Sequence, residues 1–272
     1  MPDTNHISLH DALSVEVAGD VASATVRDGF DVFGIPHGGY MAALGANAVL
    51  TWTAQPDLFT VTTHFLRKTD HAPIEFSLRE LGGSRRFHTV LAEGRQDDRT
   101  VIVTMASVGD RTTFDGPSWH DRRAPAYADA DLGPRPEELP EPQVSPAIAR
   151  QLGLRLERAT AHFALGRTAD RAVVGSRVEA PEGTPTDQLL AIIACDITPP
   201  AAWNVLGKSG WVPTVELTAH LRARPAPGPL DVVAMTASVN DGFLEEDAEV
   251  YDSTGQLVLL SRQLALWSEP GR

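Results

Sequence analysis

The sequence predicts an α+β fold with two similar halves, each built from one long central helix wrapped by a curved antiparallel sheet. Two apolar helix-like segments begin near residues 38 and 186, which are 148 residues apart. Two strand-like segments precede each helix and four follow it, and a proline-rich stretch separates the halves. A sheet curled around one apolar helix buries both faces of that helix. The 272 residues are enough for two such units, each with its own core.

The first half follows the alternation of apolar and polar residues that is typical of strands, on both sides of its helix. We expect the helix to run from about Gly38 to Thr53 and to stop near Pro56. Gly82-Gly83 and Asp97-Asp98 are predicted to be hairpin turns. The predicted strands of this half are 15–17, 22–27, 60–67, 74–81, 86–94 and 100–108.

The second half repeats this order. Its helix is predicted to be capped by Thr184, with Pro185 in the first turn, to continue over 187–196 and to end before Pro199-Pro200. The acidic run 242–247 is interpreted as a hairpin corner. The predicted strands are 161–165, 172–178, 214–223, 230–239, 242–251 and 257–267. We therefore divide the chain into an N-terminal domain, 1–110, a linker with seven prolines, 111–147, and a C-terminal domain, 148–272.

Composition restricts the class of function. A net charge of −13 argues against nucleic acid or an anionic membrane as the main partner. No apolar run is long enough to span a bilayer. The single cysteine, Cys195, excludes an internal disulfide, and the start of the chain lacks a leader pattern, so we expect a cytoplasmic protein. The nine histidines show no metal-binding spacing, and we expect neither a metal nor a cofactor.

The most informative motif is the start of the first helix, where Phe33-Gly34 is followed by His37-Gly38-Gly39-Tyr40. Glycine lets the backbone approach a ligand closely, and the free N–H groups of a first helical turn favour negative charge. Such a helix start can hold the oxyanion of an acyl-transfer reaction. His37 could bind a carbonyl oxygen or could only pack. The start of the second helix, 183–185, is less glycine-rich, and the sequence does not decide which helix supplies the donors.

Asp196 is the candidate general base. It ends an otherwise apolar helix, where the helix dipole and burial both disfavour a carboxylate and raise its pKa. A carboxylate kept in such a place indicates a functional site. In the alternative interpretation, Asp196 caps the turn that follows. The first helix carries no carboxylate between Met41 and Thr53, although it has Asn47, so we expect unequal halves with one main site between them.

The F-G-x-x-x-G-G-Y turn, the alanine-rich helix and the run of strands resemble the hotdog-fold acyl-CoA thioesterases, in particular their double-hotdog, TesB-like branch. The resemblance covers about residues 10–268 and implies a tandem double hotdog whose two halves pair edge to edge. It also implies hydrolysis of acyl-CoA or acyl carrier protein thioesters in fatty acid metabolism, with coenzyme A entering only as part of the substrate. It implies a homodimer or a larger homo-oligomer.

The resemblance further implies which residues act. Enzymes of this branch use an Asp of the second helix, a Thr at the start of the next strand and a Gln of the last strand to orient water. The matching residues are Asp196, Thr214 and Gln263, and the helix start with His37 to Tyr40 would bind substrate. Thr214 could instead be an ordinary strand residue with Thr218 in its role, and Gln263 could lie on the solvent face.

Two other functions fit the same scaffold. A hydratase or dehydratase would recruit a His and an Asp, such as His37 and Asp196, although hotdog hydratases place the two on one short loop that this chain lacks. A catalytically silent binder of acyl groups or small apolar molecules would need neither. Basic residues that could meet the phosphates of coenzyme A are few, and each could be a solvated charge: Arg67-Lys68, Arg85-Arg86, Arg222 and Arg224.

Overall fold

A single antiparallel sheet of 13 strands surrounds two central helices in a computed structural model that describes residues 7–135, 138, 145–208 and 212–267. The strand order is β1-β2-β6-β7-β8-β5-β11-β15-β14-β12-β10-β9, with β13 beside β14 and a separate β3–β4 pair. The helices are α1 (Leu9–Ala12), α2 (Gly38–Thr53), α3 (Ala147–Gln151), α4 (Gln188–Ile197) and α5 (Trp203–Leu206). The strands are β1 (Glu16–Ala18), β2 (Val21–Thr25), β3 (Asp31–Val32), β4 (Ile35–Pro36), β5 (Asp57–Phe65), β6 (Pro73–Ser84), β7 (Phe87–Gln96), β8 (Arg99–Gly109), β9 (Leu154–Leu156), β10 (Ala172–Val178), β11 (Thr214–Leu221), β12 (Leu230–Thr236), β13 (Val239–Asn240), β14 (Phe243–Tyr251) and β15 (Leu257–Leu266).

The two halves repeat each other, which confirms the predicted tandem α+β fold. The strand order from β1 to β5 has the same sequence of elements as the order from β9 to β11. The halves join where β5 pairs with β11, with Thr62 opposite Thr218. The predicted edge-to-edge pairing is therefore present, and it merges the two curved sheets into one.

The core lies between the sheet and the helix pair α2 and α4. Alanine and glycine make α2 narrow, and nearly every residue from Gly39 to Val49 is buried. The helices run in opposite directions: the start of α2 meets the end of α4, and Gln188 at the start of α4 hydrogen-bonds Pro56 and Leu58 just beyond α2. This antiparallel contact joins the halves through one continuous apolar cluster.

Four local predictions were wrong. Residues 161–165 contain a 3-10 helix, His162–Leu165, which Gly166 ends in the left-handed conformation, and β9 takes the place of the expected strand. Gly82-Gly83 belongs to β6, where Gly82 adjoins a bulge and Gly83 lies too close to the Phe87 carbonyl for a Cβ, so the turn follows at 85–86. Helix α4 is capped by Asp187, which accepts the N–H groups of Leu189 and Leu190, and not by Thr184.

The fourth error concerns the acidic run 242–247. The turn is Asp241-Gly242, with φ values of 52° and 80°, as in a tight hairpin. Residues from Phe243 onward belong to β14. Glu246 therefore lies inside a central strand of the C-terminal half.

The segment between β8 and α3 packs on the C-terminal half where the structure describes it. Leu132 is fully buried and bridges to Glu157, and Arg155 hydrogen-bonds Asp129. Arg122 forms an ion pair with Glu249. The segment is therefore bound to the surface of the domain along much of its described length.

Candidate active site

The polar centre of the molecule is Asp196, at the point where the start of α2 meets the end of α4. Its carboxylate oxygen Oδ2 accepts the N–H of Gly39 at 2.6 Å. The close approach depends on glycine: a Cβ on Gly38 would lie 2.9 Å from Oδ2, and one on Gly39 would lie 3.1 Å from the Cα of Ile193. The glycine pair thus allows the carboxylate of one half to sit on the helix start of the other.

Burial sets the acidity of Asp196. Its side chain is only 6% exposed, and burial raises the pKa of the carboxyl group. The neighbouring His37, the Gly39 N–H and the Gln263 amide act in the opposite direction, but they do not cancel the effect of burial. A carboxylate with a raised pKa is a stronger base than an exposed one.

His37 fixes the geometry of this contact from the other side. It is the N-cap of α2, and its Nδ1 accepts the N–H of Tyr40 at 3.3 Å. Because Nδ1 is an acceptor, Nε2 carries the proton and donates to the main-chain carbonyl of Asp196 at 3.1 Å. Nε2 also lies 3.5 Å from Oδ2 of the same residue. Nδ1 therefore caps α2, and Nε2 links the start of α2 to the end of α4.

Gln263 and Thr214 lie beside Asp196 on neighbouring strands. Gln263 is buried, and the Thr214 hydroxyl donates to its amide oxygen at 2.7 Å. A hydrogen bond from the Gln263 side chain lowers the pKa of Asp196, so the amide faces the carboxylate. Thr218, the rival candidate, instead bonds Thr62 where the two halves pair. The structure brings Asp196, Gln263 and Thr214 into one connected set.

Tyr40 does not join this set. Its ring is fully buried against Phe30, and its hydroxyl donates to the Ala12 carbonyl and accepts the N–H of Arg27. These contacts lie within the N-terminal half. Asn47, further along α2, donates to the carbonyl of Leu13 and is likewise separate.

The sequence analysis missed one member of the site, Glu246. It is 4% exposed, and its Oε1 accepts from the Gln263 amide at 3.3 Å. Its Oε2 accepts the N–H of Ala201 at 2.6 Å. Burial raises the pKa of Glu246 to about 7, and the charge of Asp196 contributes in the same direction. The signal was present in the sequence, because Glu246 occupies an inward position of a strand whose other inward residues are Leu244, Ala248 and Val250.

The N-terminal half has apolar residues at the positions equivalent to these polar ones. Both β5 and β11 carry a bulge near their start, and matching the strands at the bulges relates Thr214 to Leu58 and Gln263 to Ala106. The same match relates Glu246 to Val90. All three counterparts are fully buried: Leu58, Ala106 and Val90. The polar set is therefore built once, from the strands and helix α4 of the C-terminal half and the helix start of the N-terminal half.

The start of α4 cannot serve this site. Gln188 lies eight residues before Asp196 on the same helix, which corresponds to roughly 12 Å along the axis. Asp187 also uses its carboxylate on the first N–H groups of that helix. The helix start next to Asp196 is that of α2.

Comparison with known proteins identifies the family to which the chain belongs. A family model described as the acyl-CoA thioesterase N-terminal domain matches residues 26–109, and one described as the acyl-CoA thioesterase C-terminal domain matches 128–267. The chain belongs to the acyl-CoA thioesterase family. This membership confirms the predicted resemblance to the acyl-CoA thioesterases and the enzyme class, a thioester hydrolase.

Individual proteins are similar to this one along most of the chain. Two uncharacterized proteins, from Mycobacterium tuberculosis and Mycobacterium bovis, are each 30% identical over 250 residues, with 85% of each chain covered. A crystal structure from Thermobifida fusca, assigned as a thioesterase II, has a TM-score of 0.84 at 25% identity and covers 96% of this chain and 97% of that one. TesB2 of Mycobacterium marinum, an acyl-CoA thioesterase II, has a TM-score of 0.71 at 17% identity over 97% and 99% of the two chains. At 17% identity, the similarity to TesB2 shows only that the two proteins share a fold.

The residues that the structure describes contain no helix capable of crossing a bilayer. Within the same residues, no three His, Cys, Asp or Glu side chains are grouped as a metal ion would require.

Proposed function

We propose that the protein hydrolyses acyl-CoA thioesters with a water molecule that Asp196 activates. The observation that carries the proposal is the position of Asp196, a buried carboxylate held between a helix-start N–H and a side-chain amide. The acyl-CoA thioesterase family to which the chain belongs supports the choice of a thioester as the bond that is cleaved.

In the proposed reaction, the Asp196 carboxylate takes a proton from water while the oxygen of that water attacks the thioester carbonyl carbon. The Gln263 amide and the Thr214 hydroxyl orient the water, since their mutual hydrogen bond fixes both groups. The carbon–sulfur bond then breaks, and the departing thiolate receives the proton that Asp196 took from water, which leaves a carboxylic acid, a free thiol and the Asp196 carboxylate restored. Water and the thioester are the only reactants, and no cofactor is needed.

The negative charge that develops on the carbonyl oxygen needs a donor. Gly38 is the first residue of α2, so its N–H has no acceptor within the helix. The neighbouring Gly39 N–H is already bonded to Asp196. We therefore assign the oxyanion contact to the Gly38 N–H, where the helix dipole also favours negative charge.

The basic pair Arg67-Lys68 supports coenzyme A as the thiol portion of the substrate. The ring of Phe65 lies near Gly38, within 3.5 Å of where a Cβ would be, so the two basic residues follow closely after the site. Arg67 uses one guanidinium nitrogen on the Thr100 carbonyl, and both residues are exposed. We expect Lys68→Glu to raise the KM for an acyl-CoA and to leave that for the matching acyl-pantetheine unchanged. Equal effects on both substrates would contradict a phosphate contact.

A lyase has less support from the geometry. A hydratase or dehydratase would need the His37 ring to exchange a proton with substrate, but both of its nitrogens are held by the chain. The dehydratase domain of RzxB from Pseudomonas fluorescens shares the fold, with a TM-score of 0.58 at 12% identity, and shows nothing beyond it.

The decisive test is thiol release from a series of acyl-CoAs, from short to long chain, by the wild type and Asp196→Asn. Loss of a general base lowers the rate by about 10² to 10⁴-fold. Asn47→Asp serves as the matched control, because it adds a carboxylate to the other central helix, away from the site. Wild-type release that survives in Asp196→Asn would place the base elsewhere. Absence of release by the wild type, with enoyl-CoA hydration or simple binding in its place, would favour the lyase or the silent binder.

We also propose that the protein acts in the cytoplasm as a homodimer or a larger homo-oligomer. The support for assembly is an exposed apolar group on the outer face of the sheet, where Phe243 and Leu266 pair across strands and Leu264 lies nearby. Sedimentation of the wild type and of Leu266→Glu tests it, and a monomeric wild type would contradict it.

A further inference from the structure

Glu246 is a buried acid whose partners are uncharged. Its Oε2 accepts the N–H of Ala201, and the hydroxyl of Thr236 lies 3.4 Å from the same oxygen. Its Oε1 faces the amide of Gln263. Burying an ionisable group among uncharged partners costs free energy, so its presence here indicates a function. The mechanism above does not use Glu246, so its role is open.

The pairing of the strands places Glu246 directly opposite Gln263. The two residues are cross-strand neighbours on β14 and β15, so their side chains leave the sheet on the same face. The amide oxygen of Gln263 accepts from Thr214, and its NH₂ group has two hydrogens. One hydrogen of the NH₂ group meets Glu246, and the Gln263 side chain also lowers the pKa of Asp196, so the amide is shared between the two carboxyl groups.

An amide can be rotated by half a turn with almost no change in shape, which exchanges its oxygen and its NH₂ group. In the rotated state the oxygen of Gln263 would face Asp196 and could not donate to it or to a water molecule there. An ionised carboxylate accepts hydrogen bonds and donates none, so it selects the state with the NH₂ group facing it.

We propose that Glu246 is a positioning residue that fixes the orientation of the Gln263 amide, and through it the orientation of Asp196 and the attacking water. The proposal rests on the hydrolysis proposed above. Substitution by glutamine tests it closely, because Ala201 presents a main-chain N–H that cannot turn away. The new amide must keep its oxygen on Ala201, so its NH₂ group faces Gln263 and drives that side chain into the rotated state.

Protonation of Glu246 has the same effect as glutamine. The proton goes to Oε1, since Oε2 is occupied by the Ala201 N–H, and the acid then donates toward Gln263. Activity should therefore fall as pH decreases through the range in which Glu246 takes up its proton. The other ionisable groups around this pair are Asp196 and Cys195 on α4, His37 at the start of α2, and the ion pair Asp247–Arg262 on the outer face of β14 and β15.

The kinetic experiment compares the wild type, Glu246→Gln and Glu249→Gln with one acyl-CoA between pH 5 and 9. Glu249 is the matched control: it is a buried acid of the same strand, but it bonds Arg122 and Tyr251 instead of Gln263. We expect Glu246→Gln to lower kcat at least tenfold with KM changed less than twofold, and Glu249→Gln to change neither by more than twofold. The part of the acid limb of the kcat profile that comes from protonation of Glu246 should be absent in Glu246→Gln, because glutamine does not titrate. Unchanged kcat and profile would overturn the proposal.

A second measurement does not depend on activity. The side-chain amide signals of Gln263, assigned by their loss in Gln263→Leu, can be followed by ¹⁵N NMR. In the wild type they should shift between pH 5 and 9, and in Glu246→Gln they should not show that transition. Wild-type signals that do not move would overturn the proposal even if Glu246→Gln failed to fold. Absence of thiol release by the wild type would refute the proposed hydrolysis and leave this test valid.

Discussion

Replacement of Glu246 by glutamine should change the way in which the stability of the protein depends on pH. The pKa of this group rises from 4.5 to about 7 on folding, chiefly because of burial. The folded state therefore binds the proton more tightly than the unfolded state. The contribution to stability is complete below the unfolded pKa and is lost as pH rises through the folded one.

The size of the effect follows from these two values. Each pKa unit corresponds to about 1.4 kcal/mol, so the full contribution is about 3 kcal/mol. Most of it falls between pH 5 and pH 8, where the linkage relation gives about 2.5 kcal/mol. Glutamine does not titrate, and any fixed cost of its mismatched NH₂ group is the same at both pH values. The difference in stability between wild type and Glu246→Gln should therefore fall by that amount from pH 5 to pH 8.

Urea unfolding of both proteins at pH 5 and pH 8 measures this difference. Because Asp196 titrates in both proteins, its contribution cancels to first order in the comparison. For a chain of this size the change corresponds to roughly 5–10 °C in Tm. A wild-type-to-variant difference that is equal at the two pH values would refute the reasoning, since it would mean that Glu246 keeps one charge state across that range.

Three further substitutions test contacts at the start of α2 and the ion pair between Arg224 and the buried Asp57. Tyr40→Phe removes a buried hydroxyl with two main-chain partners, so it should lower the free energy of unfolding in urea by about 1–3 kcal/mol without changing kcat. A lower kcat would indicate that Tyr40 contacts the substrate. Gly39→Ala places a Cβ 3.0 Å from the Cβ of Asp196, so we expect helices α2 and α4 to separate. The value of kcat in the thiol-release assay should then fall at least tenfold. An unchanged kcat would show that the contact relaxes around the added methyl group. Arg224→Met removes two hydrogen bonds to the fully buried Asp57 and should lower the free energy of unfolding by about 2 kcal/mol, which urea unfolding measures. An unaltered urea midpoint would show that the pair does not stabilise the fold.

The sequence by itself determined the repeated fold and the position of its first helix. Helix α2 runs from Gly38 to Thr53, as predicted, because a glycine pair, a run of alanines and Pro56 are local signals that tertiary contacts do not override. The same kind of signal pointed to Asp196, since a carboxylate at the end of an apolar helix conflicts with its surroundings whatever the fold. Glu246 was not predicted because three consecutive acids, residues 245–247, are typical of a turn. The alternation of a strand would have placed the middle one of the three inward.

Only the tertiary structure decided how these parts form a site. The contact between Gly39 and Asp196 joins residues 157 positions apart in the chain, and it depends on two helices that run in opposite directions. The same packing puts the start of α2, and not that of α4, next to the carboxylate. The apolar counterparts Leu58 and Ala106 show that the repeat in the sequence does not imply two sites. Local patterns fix helices and strands because they act between near neighbours, whereas hydrogen bonds between distant residues follow from packing.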